Sequence, residues 1–130
     1  MKILLDTHAF LWLIAGDANL SPMAREAIET QDNESLLSVA SLWEMAIKVS
    51  LGKLTLSFDE PFAEAIGGLL LENGIGVLPI DIIHVGQVAV MPFHHRDPFD
   101  RLIIAQALVE SLMVVGRDES FDSYGVKRIW

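Results

Sequence analysis

Cysteine is absent from the 130 residues, which excludes a disulfide framework, a thiolate metal site and a thiol nucleophile. Any metal ligands must then be oxygen or imidazole. The chain also lacks an apolar run near the roughly 20 residues a membrane span needs, so no membrane association is expected, although 52% of residues are hydrophobic and mean hydropathy is +0.40. Met1-Lys2-Ile3-Leu4-Leu5-Asp6 reaches an acid after three apolar residues, short of the about 7 to 15 in the apolar stretch of a signal peptide. A cytoplasmic location is expected. Basic residues are scarce, with nine Lys and Arg against 18 Asp and Glu, a net charge of −9 and a pI near 4.7. Because sequence-independent phosphate binding comes from Lys and Arg, composition alone points away from nucleic acid. That objection weakens if metal neutralises several carboxylates, or if they face a basic protein partner. No repeat, low-complexity tract or linker divides the sequence, and half of it would hold too little core to fold alone. One domain spanning 1–130 is expected.

What is present is an alternation of short apolar strands and helices. Ile3 to Leu5 reads as a buried strand and Ala9 to Ile14 as a helix. Ser21-Pro22 starts a helix to about Thr30. Leu36 to Val39 reads as a second strand, with Ser41-Leu42-Trp43-Glu44 opening a helix through Val49 that Gly52 ends. Asp59-Glu60-Pro61 starts another, through Phe62 and Leu69 to a stop at Gly74; its Gly67-Gly68 pair either lets another backbone approach or weakens the helix. Gly76 to Ile80 is a third strand, Asp81 caps a helix to about Val90, and Met91 to Arg96 is a loop. Asp97-Pro98 begins the most regular helix, with Leu102, Ile103, Ala105, Gln106 and Val109 in helical spacing. Leu112 to Val115 is a fourth strand, and Val126 to Trp130 a candidate edge strand. The pattern predicts an α/β fold: a mostly parallel sheet of four or five strands with helices on both faces. In such sheets ligands bind beyond the carboxyl ends of the strands.

Acidic residues gather where that rule points. Asp6 follows the first strand, Glu44 lies one turn into the helix after the second, Asp97 and Asp100 open the most regular helix, and Asp118 follows the fourth strand. Like charges brought together oppose folding unless something positive joins them. Oxygen ligation of this kind suits a hard ion such as Mg²⁺ or Mn²⁺, which promotes phosphodiester hydrolysis. Each acid also has a structural reading. Glu44 with Ser41 would complete a capping box, Asp97 before Pro98 is a helix cap, Asp100 gains from the helix dipole, and Asp118 caps a turn. Asp6 could cap the helix near Ala9.

Four segments together resemble a known family: Ile3-Leu4-Leu5-Asp6-Thr7-His8, Ser41-Leu42-Trp43-Glu44, the run from His95-Arg96-Asp97-Pro98-Phe99-Asp100-Arg101 to Ala107, and Val115-Gly116-Arg117-Asp118 with Phe121. In this order they are similar to the PIN domain and, within that superfamily, to the ribonuclease toxins of bacterial VapBC toxin–antitoxin systems. The His-Arg-Asp-Pro-Phe-Asp-Arg run is the most specific part. The resemblance implies a Mg²⁺- or Mn²⁺-dependent endoribonuclease that cuts single-stranded or looped RNA with a metal-activated water. Asp6, Glu44, Asp100 and Asp118 would be its four acids and metal ligands, Thr7 would orient Asp6 or a water, and Asp97 would be an additional acid near the site. A cognate VapB-like antitoxin that blocks the site and a homodimer are implied as well. A basic antitoxin segment would be drawn to the same carboxylates.

Around these acids, Arg96, Arg101 and Arg117 are candidates for phosphate contacts, because the guanidinium fork matches phosphate oxygens. Pairing with acids such as Asp97 and Glu119 is the alternative, favoured for Arg101. His8, His94 and His95 show no metal-ligand spacing, and a structural or surface role is expected of them. Trp12, Trp43, Phe10, Phe62 and Phe93 read as core or interface residues in preference to base-stacking ones, and Trp130 as a contact surface. Two competing functions remain: a catalytically inert PIN-like module that binds a protein partner, and a phosphate-handling domain of the receiver type. The latter ranks low, because Lys127 precedes Arg128 in place of a Lys-Pro pair.

Overall fold

A computed structural model describes every residue from Met1 to Trp130. Its centre is β1 (Lys2–Leu5), whose Ile3, Leu4 and Leu5 are wholly withdrawn from water. An uninterrupted apolar strand is what a sheet covered on both faces requires. The sheet has five strands in the order β3-β2-β1-β4-β5, adding β2 (Glu34–Ser38), β3 (Ile75–Leu78), β4 (Met113–Val115) and β5 (Arg128–Ile129). Every pairing is parallel, and Leu5 stands between Leu37 and Val115.

Alternation along β1 divides the core. Ile3 and Leu5 face a cluster that includes Phe10, Ala24, Met45 and Ile66, contributed by α1 (Thr7–Ala15), α2 (Pro22–Glu29), α3 (Val39–Ser50) and α4 (Phe62–Glu72). Leu4 faces the other way, onto Ile103, Ile104 and Ala107 of α6 (Pro98–Glu110), against which α5 (Ile82–Val90) packs. Successive strand residues point to opposite faces, so three consecutive apolar residues serve two cores.

The connection after β1 runs to one side of it, whereas β4 and β5 lie on the other. Chains leaving β1 and β4 therefore diverge, opening a crevice above their carboxyl ends where open α/β sheets bind ligands. Asp6 and Gly116 stand at its base, and the Asp6 N–H donates to Val115 O at 3.0 Å, carrying the ladder one residue past β1.

Three local expectations are settled by the fold. Helix α3 begins at Val39 and not at Ser41, because the Ser38 hydroxyl accepts from Ala40 N–H at 3.0 Å and caps it there. Ser41 and Glu44 consequently lie inside the helix, and the capping box proposed for them does not form. Gly67 and Gly68 meet no approaching backbone. Trp130 packs beside Trp12 on the larger core cluster, so it is not a free contact surface. No helix is long and apolar enough to cross a membrane.

Gln106, fully buried in α6, joins the ends of two strands: it accepts from the Ser38 hydroxyl and donates to Pro79 O at 3.1 Å. Replacing it with Leu leaves the buried Ser38 hydroxyl proton without an acceptor, which costs about 1–3 kcal/mol. A lowered urea midpoint with an unchanged denaturant slope is the expected result.

Candidate active site

Asp6 leaves β1 with only 6% of its surface exposed. Its Oδ1 accepts from Ala9 N–H at 2.8 Å, so it does cap α1. The second oxygen, Oδ2, lies against the α-carbon of Gly116; a β-carbon there would overlap it and come within 2.8 Å of the Asp6 carboxyl carbon. One oxygen thus fixes the side chain, and the absence of a side chain at Gly116 leaves room for the other.

The next residue brings in the second acid. Thr7 donates its hydroxyl proton to Glu44 Oε1 at 2.7 Å and sits 3.0 Å from the Ser41 hydroxyl. Glu44 is 4% exposed, and its Oε2 receives Lys48 Nζ from one turn later at 2.8 Å. A buried carboxylate needs its lone pairs filled, and this one is held on both oxygens. Thr7 therefore orients Glu44, whereas the sequence had assigned it to Asp6 or a water.

Asp100 and Asp118 meet across His95. The ring Nε2 lies 3.0 Å from Asp100 Oδ2 and 2.9 Å from Asp118 Oδ2. Its Nδ1 accepts Asp97 N–H at 3.1 Å, which in the neutral ring leaves the proton on Nε2, aimed between the two carboxylates. His95 is itself held from several sides. Its N–H donates to the Tyr124 hydroxyl at 2.8 Å, that hydroxyl donates to Pro92 O, and the ring meets the edge of Phe121. Asp118 caps the following 3-10 helix Glu119–Tyr124 through Oδ1, which accepts from Ser120 N–H and hydroxyl, leaving Oδ2 for the cluster.

Burial raises the pKa of Asp6 to about 6, opposed by the Ala9 hydrogen bond and by His8 and reinforced by Asp118 and Glu44. Asp100 rises to about 7, first through burial and then through Asp97, with His95 opposing and Glu44 and Asp6 adding. In Asp118 burial is outweighed by bonds from Ser120 and His95, and its pKa lies below the usual value. For Asp6 and Asp100, burial and neighbouring acids outweigh the imidazoles of His8 and His95. Oxygen donors of this kind, with His95, Asp100 and Asp118 offering ligand atoms within 4.8 Å of one another, fit a hard divalent cation.

The pattern of the PIN domain matches residues 3–127. The chain belongs to the PIN domain family. It is 29% identical over 127 residues to Ribonuclease VapC22 of Mycobacterium tuberculosis, an alignment covering 94% of this chain and 91% of that protein. Its fold is similar to that in VapBC2 from Rickettsia felis bound to a promoter DNA fragment, with a TM-score of 0.73, 14% identity and full coverage of both chains. VapBC-1 from nontypeable Haemophilus influenzae is similar too, at a TM-score of 0.66 and 15% identity over 98% of this chain and 96% of that one.

In this PIN domain the sequence-predicted acids fall into two groups. Asp6 and Glu44, linked through Thr7, form the more enclosed one; Asp100 and Asp118, bridged by His95, form the other. Asp97 is a cap: its Oδ1 accepts from Phe99 and Asp100 N–H, and it influences the site by its charge on Asp100. Arg101 pairs with no carboxylate. Buried to 5% exposure, it donates to the carbonyls of Val88, Met91, Pro92 and His95 and to the Tyr124 hydroxyl, and stacks on Phe93. It secures the loop that carries His95. Arg96 is exposed, and Arg117 lies over Trp12 without pairing with Glu119. His95 was expected to be structural or superficial. Its spacing carried no ligand signal, but its place three residues before one capped helical turn, in the most specific motif, was the available clue.

Two measurements test this site. Asp6 and Asp100 bind protons more tightly folded than at their ordinary value of 3.8, so the unfolded chain releases protons first as pH rises. Stability of the metal-free protein should fall between about pH 4 and pH 7, by on the order of 3 kcal/mol from Asp6 alone, and saturating Mg²⁺ or Mn²⁺ should restore it. Thermal melts across that range check the slope; a metal-free chain that gains stability toward neutral pH would contradict it. Gly116→Ala should displace Asp6 and weaken Mn²⁺ binding about tenfold or more, read by titration calorimetry, with helical content retained.

Proposed function

We propose that this PIN domain, as one nuclease unit over residues 1–130, is a divalent-metal-dependent endoribonuclease and the toxin of a type II toxin–antitoxin pair. The observation that carries the reading is the meeting of Asp6, Glu44, Asp100 and Asp118 at the crevice between β1 and β4, with Asp6 and Asp100 held at raised pKa. The ribonuclease relative in M. tuberculosis and the fold shared with VapBC proteins support it.

Mg²⁺ or Mn²⁺ would be held by Asp6, Asp100 and Asp118, with Glu44 directly or through water. When bound, the ion supplies Lewis-acid activation of water and of the phosphoryl group. The chain's own residues do the rest. Gly116 admits Asp6 to the crevice, Thr7 and Lys48 fix the direction of Glu44, and Asp97 caps the helix that presents Asp100. His95 Nε2–H keeps Asp100 and Asp118 together, and the apolar walls beneath limit water to the open side.

An antitoxin of VapB type is the proposed inhibitory partner, drawn as a basic segment to a chain of net charge −9. Self-association into a homodimer in the cytoplasm completes the reading. Exposed Ile82, Ile83, Val85 and Val90 on α5 support a protein contact there.

Cleavage of unstructured RNA in Mg²⁺ or Mn²⁺, stopped by EDTA, is the expected activity. Asp6→Asn and Asp100→Asn should each reduce the rate by about 100-fold or more while circular dichroism is unchanged. Wild-type rates in both variants would remove the metal site, and no cleavage by the wild-type chain in either metal would favour an inert binding module.

A further inference from the structure

Beside the acids lies a recess of about 250 Å³ lined by Asp6, His8, Trp12, Arg117 and Asp118. It is smaller than the roughly 300–1,000 Å³ pockets that enclose a whole small ligand, and it opens on the crevice. Its shape suits one group of a longer chain passing over the surface.

Arg117 is the unusual member. It stands between Gly116 and Asp118, and the carboxylates of Asp6 and Asp118 line the same recess, yet its guanidinium pairs with neither and lies 4.8 Å over the Trp12 ring. Arg25 and Arg128 are paired with Glu29 and Asp122, and Arg101 is committed to carbonyls. The indole beneath Arg117 is fixed in turn, with His8 at 5.4 Å and Trp130 at 5.6 Å between ring centroids. Its place over the ring leaves the guanidinium N–H groups without a protein acceptor. A planar fork with open donors matches the paired oxygens of a phosphate diester.

Electrostatics gives this cation a purpose. On a chain of net charge −9, a polyanion must find local positive charge wherever a phosphate approaches. A divalent ion among the acids would serve the phosphate being cut and leaves the neighbouring phosphate unmatched. We infer that Arg117, shelved on Trp12, forms a subsite for the phosphodiester next to the scissile one in single-stranded RNA. This subsite rests on the ribonuclease reading and adds to it a residue that grips substrate outside the metal centre.

The test compares substrates with and without that neighbouring phosphate. Binding of a labelled, unstructured oligoribonucleotide of about 12 nucleotides is followed by fluorescence anisotropy, with Ca²⁺ replacing Mg²⁺ and at several salt concentrations. Arg117→Gln should weaken binding about tenfold and reduce the slope of log affinity against log salt by about 0.7, the loss of one single-strand phosphate contact. Trp12→Leu should reproduce most of this loss by freeing Arg117, and Trp12→Phe, which keeps a ring, should restore it. In cleavage, the Arg117→Gln penalty should appear in KM and be several-fold larger for the oligonucleotide than for a dinucleoside monophosphate, which has no second phosphate. Equal penalties on both substrates, or an unchanged salt slope, would overturn the subsite. So would intact RNA binding by both variants, which would leave the platform to a protein partner. If wild-type protein neither binds nor cuts RNA, the ribonuclease reading itself falls; if it does both and Arg117→Gln matches it, only the subsite falls.

Discussion

The burial of several carboxylates at one rim is the constraint around which this end of the fold is arranged. Asp6 extends a strand with no contact with water, and Asp100, Asp118 and Glu44 are aimed at the same crevice. Each is restrained by a different donor: Ala9 N–H for Asp6, Thr7 and Lys48 for Glu44, His95 for the other two. These donors fix direction without offsetting the loss of water, and burial, with the neighbouring carboxylates adding to it, raises both Asp6 and Asp100. A cation is what the geometry is short of. Stability here is given up for a site, as functional sites generally require.

Support for the site comes from residues with no chemistry of their own. Arg101 and Tyr124 bind the loop Met91 to Asp97 into place through carbonyls, and that loop sets His95 between two acids. A buried guanidinium without a carboxylate is costly. Five acceptors and the face of Phe93 offset the cost, two of them, the Val88 and Met91 carbonyls, at the end of α5 where carbonyls carry partial negative charge.

β1 and β4 were legible from short apolar runs because a strand buried on both faces has few polar positions to confuse it, whereas β2 begins with Glu34 and Ser35, ahead of its expected start at Leu36. Helix starts at Pro22 and Pro98 were legible for a similar reason, since Ser21 and Asp97 are caps of simple chemistry. The start of α3 was missed: Val39 continues the apolar run of β2, and only the fold shows that Ser38 caps the helix while donating to Gln106. The acids could be named from position, but their partners could not. Thr7 with Glu44 and His95 with Asp100 and Asp118 join residues distant in sequence, and spacing holds no record of such pairs. Arg101 was misjudged because a guanidinium near acids suggests ion pairing, and sequence cannot show that carbonyls reach it first.

The parallel pairing of β1 with β4 has a consequence for synthesis. The first acid of the site is residue 6 and the last residue 118, and β4, the strand that aligns them, is made long after β1. A growing chain carries Asp6 and Glu44 early but has nothing opposite them. The crevice exists only after β4 has emerged and inserted beside β1. Such long-range closure is slow. The central strand of the sheet therefore times when the site first exists, and a chain cut short before Met113 holds Asp6, Glu44 and Asp100 but neither Asp118 nor the crevice.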